Sequence, residues 1–217
     1  MSTLGVMRTN IINDTLRDDL TQAQLNKAIN DAIKVWEGER FWFNEKRYLL
    51  DTVPGQEYYG ITTASGEEIL EVDSITITVS NFPYPLRPRT QQWFDEYQSP
   101  AQNYTGQPDS YGIFGNQLRL FPIPDAAGPN AGSYVITISG LARLGPNPMS
   151  DANATNEWMT EGETLIREQA KLIIYRNLLR DETGMKLCKD ALQEANWALK
   201  RKTAAKVMVG TVRPWSL

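Results

Sequence analysis

Apolar side chains recur at Leu25, Ile29, Ala32, Ile33 and Trp36, every three or four positions, as along one face of an amphipathic helix. The start of that helix is marked. Thr21 stands three residues ahead of Gln24, the arrangement of a capping box, and Leu20 is placed to staple against Leu25. The pattern predicts a helix of about 18–20 residues that ends near Gly38 to Trp42. Ahead of it, residues 1–19 have weak periodicity and are expected as an arm or a short helix.

From 46 to 142 the period shortens. Val53-Pro54-Gly55-Gln56 separates two extended runs as a turn. Ile75, Ile77 and Val79 alternate with Thr76 and Thr78, and Tyr134, Ile136 and Ile138 alternate again, the signature of half-buried strands. The runs Tyr111 to Phe114 and Gln117 to Phe121 flank Gly115-Asn116, where a glycine at the first central position suits a II′ hairpin. Thr90 to Tyr97 is expected as a short helical turn. Pro83, Pro85, Pro88, Pro108, Pro122 and Pro124 belong at strand ends, edges and loops, because proline cannot donate to a ladder.

Arg143 to Asn156 is rich in Gly, Pro and Asn and is expected as a linker. Helical spacing then returns at Leu165, Ile166, Ala170, Ile173, Ile174 and Leu178, with Thr160 and Glu163 as a second capping box and Gly184 as a stop. A last helix is expected from near Met185, with Cys188, Leu192, Ala195 and Leu199 on one face, and residues from about Thr203 onward lack a pattern. Each apolar helix face needs a partner. The expected fold is therefore α+β: a helical bundle formed by N- and C-terminal helices, an inserted antiparallel β-rich domain, and an extended C-terminal tail. The expected division is 1–45 for the arm and first helix, 46–155 for the β-rich domain and linker, 156–202 for the C-terminal helices and 203–217 for the tail.

Composition narrows the chemistry. The net charge is −4 and the pI is near 5.0, unlike a dedicated nucleic-acid binder, whose domain is usually basic. A protein that lines a DNA channel without gripping it is still compatible. Histidine is absent, which removes Ser-His-Asp and Cys-His nucleophiles and His-based metal sites. The one cysteine, Cys188, allows neither an intrachain disulfide nor a Cys-rich zinc site, and fits a reducing compartment. Neither standard phosphate-binding glycine motif occurs, and no cofactor is expected. No signal pattern and no apolar run of membrane-spanning length is seen.

The remaining candidates are few. The adjacent carboxylates Asp18-Asp19, Glu67-Glu68 and Asp181-Glu182 do not face each other on a helix or strand, so solvated surface is the expectation rather than acid–base work. Trp36, Phe41, Trp42 and Phe43 are expected as core. Trp93, Phe94 and Tyr97 are candidates for a partner interface, and Cys188 is expected as a buried, inert thiol. After Glu194 no acidic residue follows, and Lys200, Arg201, Lys202, Lys206 and Arg213 give +5 over the last 23 residues, with Trp215 and three valines as apolar anchors. That segment is either a solvated tail or one that orders on a partner.

Several ordered segments carry a resemblance. They are the aromatic run from Arg40 to Glu45, TVPGQEYYGI from Thr52, EILEVDSITI from Glu68, YPLRPRTQQWFD from Tyr84, PDSYGIFGNQLRLFPIPD from Pro108 and NEWMTEGETLIREQAKLIIYRNLLRD from Asn156. Together the chain resembles the head-to-tail adaptors of tailed phages, including tail tubular A-type proteins. The resemblance implies a non-enzymatic virion protein at the head-tail junction, in a ring typically of about twelve subunits with neighbouring adaptor copies. It implies docking on the portal protein through C-terminal regions and a platform for a downstream tail or nozzle protein. DNA would pass through the channel without sequence-specific binding, and no membrane is involved. The alternatives are another tail or baseplate binding module, and a small peptidoglycan hydrolase, for which no catalytic residue can be named.

Overall fold

The amphipathic segments at the two ends of the chain meet in one core. The computed structural model describes residues 2–62, 67–79, 82–97, 104–125, 134–146 and 148–207. In chain order its elements are α1 (Leu4–Thr15), α2 (Gln22–Trp36), β1 (Glu45–Asp51), β2 (Tyr58–Gly60), β3 (Glu68–Val79), β4 (Phe82–Pro85), β5 (Arg87–Pro88) and α3 (Gln91–Tyr97). Then follow β6 (Thr105–Gly106), β7 (Ser110–Phe114), β8 (Gln117–Phe121), β9 (Ile123–Pro124), β10 (Val135–Arg143), α4 (Glu157–Thr160), α5 (Glu163–Ile174) and α6 (Glu182–Val207). They divide into a helical unit, Met1–Glu45 with Arg143–Leu217, and a β unit, Lys46–Ala142. The fold class is α+β, as the periodicities indicate.

In the helical unit α5 packs against α1, α2, α4 and α6. Leu165, Ile166, Ala170, Ile173 and Ile174 from α5 share a core with Leu25, Ala28, Ile29, Ala32 and Ile33 from α2 and with Leu4, Met7 and Ile11 from α1. Trp36 packs on the same core from its edge, and Phe41 and Phe43 join it through edge-to-face contacts with Trp158. The α2 cap is the expected one: the Gln24 amide donates to the Thr21 hydroxyl, and the Gln24 side chain accepts from the Thr21 amide at 2.8 Å. The segment from Arg143 to Asn156, read as a linker, clusters with this unit and is used by it. The carbonyls of Ala152 and Ala154 accept from the Gly5 and Leu4 amides at 2.8 and 2.9 Å, pairing N–H groups that a helix start leaves without partners. Asn30 of α2 clamps the Met149 backbone in both senses, each bond 2.9 Å.

Four boundaries differ from expectation. α2 has 15 residues and stops at Trp36, because Asn44, fully buried, accepts from the Phe41 amide and donates to the Glu39 carbonyl, both at 2.8 Å, and so holds a tight aromatic turn. The second capping box does not form. Thr160 ends α4, whose cap is Asn156 accepting from the Met159 amide, and α5 begins after Gly162 with no side-chain cap. The stop after α5 is Arg180, in the left-handed region at φ 52°, ending a π-helical turn over Tyr175–Leu179. Gly184 instead lies within α6, where a Cβ would come 2.7 Å from the Tyr175 ring, so glycine there permits close packing rather than termination. α6 itself runs through Thr203 to Val207, 26 residues in all.

The β unit contains a sheet of order β1-β10-β3-β4, a second of order β2-β8-β7-β5, and the pair β6-β9. Ile69, Ile75, Ile77, Ile136 and Ile138 from the first sheet share a core with Tyr59, Tyr111, Leu118 and Leu120 from the second. The β3–β4, β2–β8 and β7–β8 pairs are antiparallel, while β5–β7 and β6–β9 are short parallel pairs. The turn at Gly115 (φ 58°) joins Phe114 and Gln117, which pair directly. Gly55 (φ 76°) follows Pro54 in the turn closed by the Gln56 amide on the Val53 carbonyl. The prolines sit where their missing donors do no harm. Pro83 and Pro85 lie in the edge strand β4, opposite Thr78 and Thr76, and Pro88 in the edge strand β5. At Gly140 of β10 an added Cβ would stand 2.0 Å from the Glu71 carbonyl oxygen of β3.

Two stability outcomes follow from the packing. Ile173→Ala lowers the unfolding free energy by about 2–4 kcal/mol, and Trp36→Ala lowers it as well, although these residues lie far apart in sequence. Gly140→Ala costs about 1–3 kcal/mol or more, since the neighbour it meets is backbone. Urea denaturation of each variant measures both; wild-type midpoints for Ile173→Ala and Trp36→Ala would mean that the ends do not share a core.

Candidate functional site

The final three turns of α6 carry the candidate cations, and the helix sets which way each points. Its inner side, with Cys188 and Leu199 buried and Leu192 and Ala195 partly so, faces the core of the helical unit. Lys200, Arg201, Lys202 and Lys206 are exposed. Three of them have partners within the unit. The Lys200 ammonium lies 3.3 Å from the Glu39 carboxylate, with both side chains about half exposed. The Arg201 guanidinium stands 4.7 Å from the centre of the Trp197 ring, and the Lys206 ammonium 4.3 Å from that of Trp42. Such surface contacts are worth at most about 1 kcal/mol each, so a partner's carboxylates can displace them. Arg213 and Trp215 lie outside the described residues.

The second candidate set separates. Phe94 is fully buried, edge-on to Trp93, Phe114 and Phe121, and offers no surface to a partner; its ring also carries the Arg119 guanidinium at 4.7 Å. Trp93 is half-buried beneath Arg89, 4.8 Å from its ring centre. Tyr97 is the last residue of α3, and its side chain falls outside the described residues. Arg119, nearly buried, is held by an ion pair to Glu57.

Titratable groups gather on one side of α5. Lys171 lies 2.7 Å from Glu168 and 3.0 Å from Asp14, and Arg167 stands within 3.6 Å of Asp14 and 3.5 Å of Glu163. Burial alone would lower the Lys171 pKa, but its bonds to Glu168 and Asp14 outweigh burial and raise it. Cys188 is pushed up to about 11, first by burial and then by Glu168, so at neutral pH it is a thiol with little nucleophilic character. Tyr134 is pushed up to about 12 by burial and by its bond to Asp125. Carboxylates here are matched to cations, as in a structural network. Asp18, Asp19, Asp181 and Glu182 are exposed, and Glu67 and Glu68 are half-buried. Among the described residues no group of three His, Cys, Asp or Glu could hold a metal ion, and no helix is long and apolar enough to cross a membrane.

Sequence reasoning did not single out Trp197, Glu39 or the role of Trp42 as a seat for Lys206. Trp197 is 63% exposed. Its signal was available: counted from the buried position Leu199, it falls on the outward side of the helix.

Residues 2–214 match the family model described as SU10 adaptor protein. A search of curated proteins found no match.

The charge network has an alkaline signature. The folded state holds the Lys171 proton more tightly than the unfolded chain. That contribution is therefore intact below the ordinary lysine value of 10.5 and is lost as pH rises through the raised value. Lys171→Met lowers stability at neutral pH, because Glu168 and Asp14 both lose their nearest cation, and makes the alkaline decline shallower. The losses from Tyr134 and Cys188, which have the same sign, persist. Urea melts from about pH 9 to about pH 12 read the difference.

Proposed function

The chain belongs to the SU10 adaptor protein family, a family of phage head-tail adaptors, and from that premise we propose that it forms a ring on the portal. It is a structural protein of the virion rather than a member of an enzyme class. In the proposed reading about twelve copies stand side by side beneath the portal protein, extend the DNA channel and present a platform to a downstream tail or nozzle protein.

One observation carries the docking part of this reading: the exposed, one-signed end of α6. Lys200, Arg201, Lys202 and Lys206 are exposed on the last turns of α6, and the sequence beyond it adds Arg213 and Trp215. A set of like charges steers a chain toward an acidic surface, at a rate that falls with salt. An aromatic anchor then slows release. Charge therefore sets mainly how fast the segment docks, and Trp215 how long it stays. Channel DNA competes for the same cations, while the overall charge of −4 disfavours wider contact with a phosphate backbone beyond this cluster.

The polar, charge-mixed surface suits a chain that stays soluble before assembly, so the purified protein sediments as a small species and forms no stable large ring at micromolar concentration without portal. A chain ending at Val207 keeps α6 whole, so it folds with an unchanged thermal midpoint, yet it does not saturate portal rings. Co-sedimentation with portal at two salt concentrations checks this. Undiminished affinity of the shortened chain would remove the C-terminal segment from the docking role.

A further inference from the structure

We propose that the outward stripe of α6 pairs, antiparallel, with the same stripe of a second copy, with Trp197 on the two-fold axis. Spacing and exposure define the stripe. Opposite the buried Cys188 and Leu199 run Asp190, Trp197 and Ala204, seven residues apart, with Glu194 and Arg201 along one flank and Gln193 and Lys200 along the other. All seven are exposed. Trp197 stands at the centre of an otherwise polar face, where its large apolar ring gains most from being covered. An open hollow of about 570 Å³ follows the stripe, lined by Asp190, Gln193, Glu194, Asn196, Trp197 and Lys200. The Asn196 side-chain oxygen is buried without a hydrogen-bond partner.

The order of charge along the helix selects the occupant. Before Trp197 the stripe carries Asp190 and Glu194; after it come Lys200 and Arg201. A parallel copy sets acid over acid and base over base. An antiparallel copy reverses the order, and a two-fold axis keeps each flank facing its own kind. Glu194 then faces Arg201 of the second copy, and the reciprocal pair forms by symmetry. Gln193 faces Lys200 of the second copy, and small Ala204 leaves room beside Asp190. Arg201 already lies over its own Trp197 ring, so its guanidinium is held within the stripe rather than projecting away from it.

The contact spans about three helical turns and buries on the order of 600–800 Å² in total, which is small for a specific interface. It fits a weak, reversible dimer, with a dissociation constant on the order of 100 µM. An isologous pair closes on itself and cannot propagate into a ring. The dimer is therefore a state of the free protein that shields Trp197 and opens before assembly. It does not depend on the ring reading.

Sedimentation of the full chain without portal, from about 5 to about 500 µM, tests it. The wild type shows a reversible monomer–dimer equilibrium. Trp197→Ala removes the dimer over this range. Glu194→Arg and Arg201→Glu each weaken it about tenfold by setting like charges face to face, and the double variant Glu194→Arg/Arg201→Glu returns to within about threefold of wild type. These side chains point away from the core, so unchanged circular dichroism and thermal midpoints separate loss of pairing from loss of fold. A monomer at every concentration overturns the proposal, as does a dimer indifferent to Trp197→Ala or a double variant no better than the single ones. Portal binding, measured on the wild type alone, tests the ring reading separately from the dimer.

Discussion

Neither end of this chain can bury its apolar face alone. α2 offers one stripe, Leu25 to Ile33, and α5 offers a wider one, Leu165 to Ile174. A single amphipathic helix in water has nothing to set such a stripe against. Their mutual burial is the constraint on which the helical unit depends, because every other element of that unit packs onto the pair or braces it. α1 and α4 cover further sides of α5, and α6 closes another. The β unit is placed between two segments that must find each other, so its first and last strands, β1 and β10, lie side by side in one sheet.

Much of this architecture was legible in the residues, for a physical reason. Period and capping are local properties, and at Thr21, at the Gly115 hairpin and at the Val53–Gln56 turn the local preference and the tertiary environment agree. The readings that gave way did so where tertiary contacts override local signals. Thr160 has the spacing of a cap, yet Asn156 starts the helix first. Gly184 has the composition of a stop, yet what it supplies is room for the Tyr175 ring. A non-glycine residue, Arg180, takes the left-handed position instead. Polar clamps such as half-buried Asn30 on Met149 and buried Asn44 within the aromatic turn had no sequence signal at all, because their partners are backbone groups.

The candidate surface was legible in part. The run of cations after Glu194 is visible in composition, and the helical phase set by Leu199 turns Arg201 outward; Lys202 and Lys206 fall three and seven residues on, on the side of Leu199 itself, so phase does not account for their exposure. Their seats are not visible, since Glu39 and Trp42 come from the other end of the chain. For Trp93, Phe94 and Tyr97, spacing on a seven-residue helix could not tell which ring turns inward. Packing against Phe114 and Phe121 decides that for Phe94.

The edge strand β4 has a consequence of another kind. The Leu86 amide bonds to the Ile75 carbonyl at 2.9 Å, and antiparallel alternation directs the Tyr84 and Phe82 amides the same way, into the sheet. The positions whose amides would point outward are Pro83 and Pro85, which have none. Phe82 and Tyr84 are left uncovered on this strand, a composition that elsewhere invites runaway strand-on-strand growth. Here the margin of the sheet has no outward donors with which to recruit another strand. An incoming strand can still donate to the outward carbonyls but meets no donor in return, so growth through this margin is weakened by covalent structure rather than by dilution.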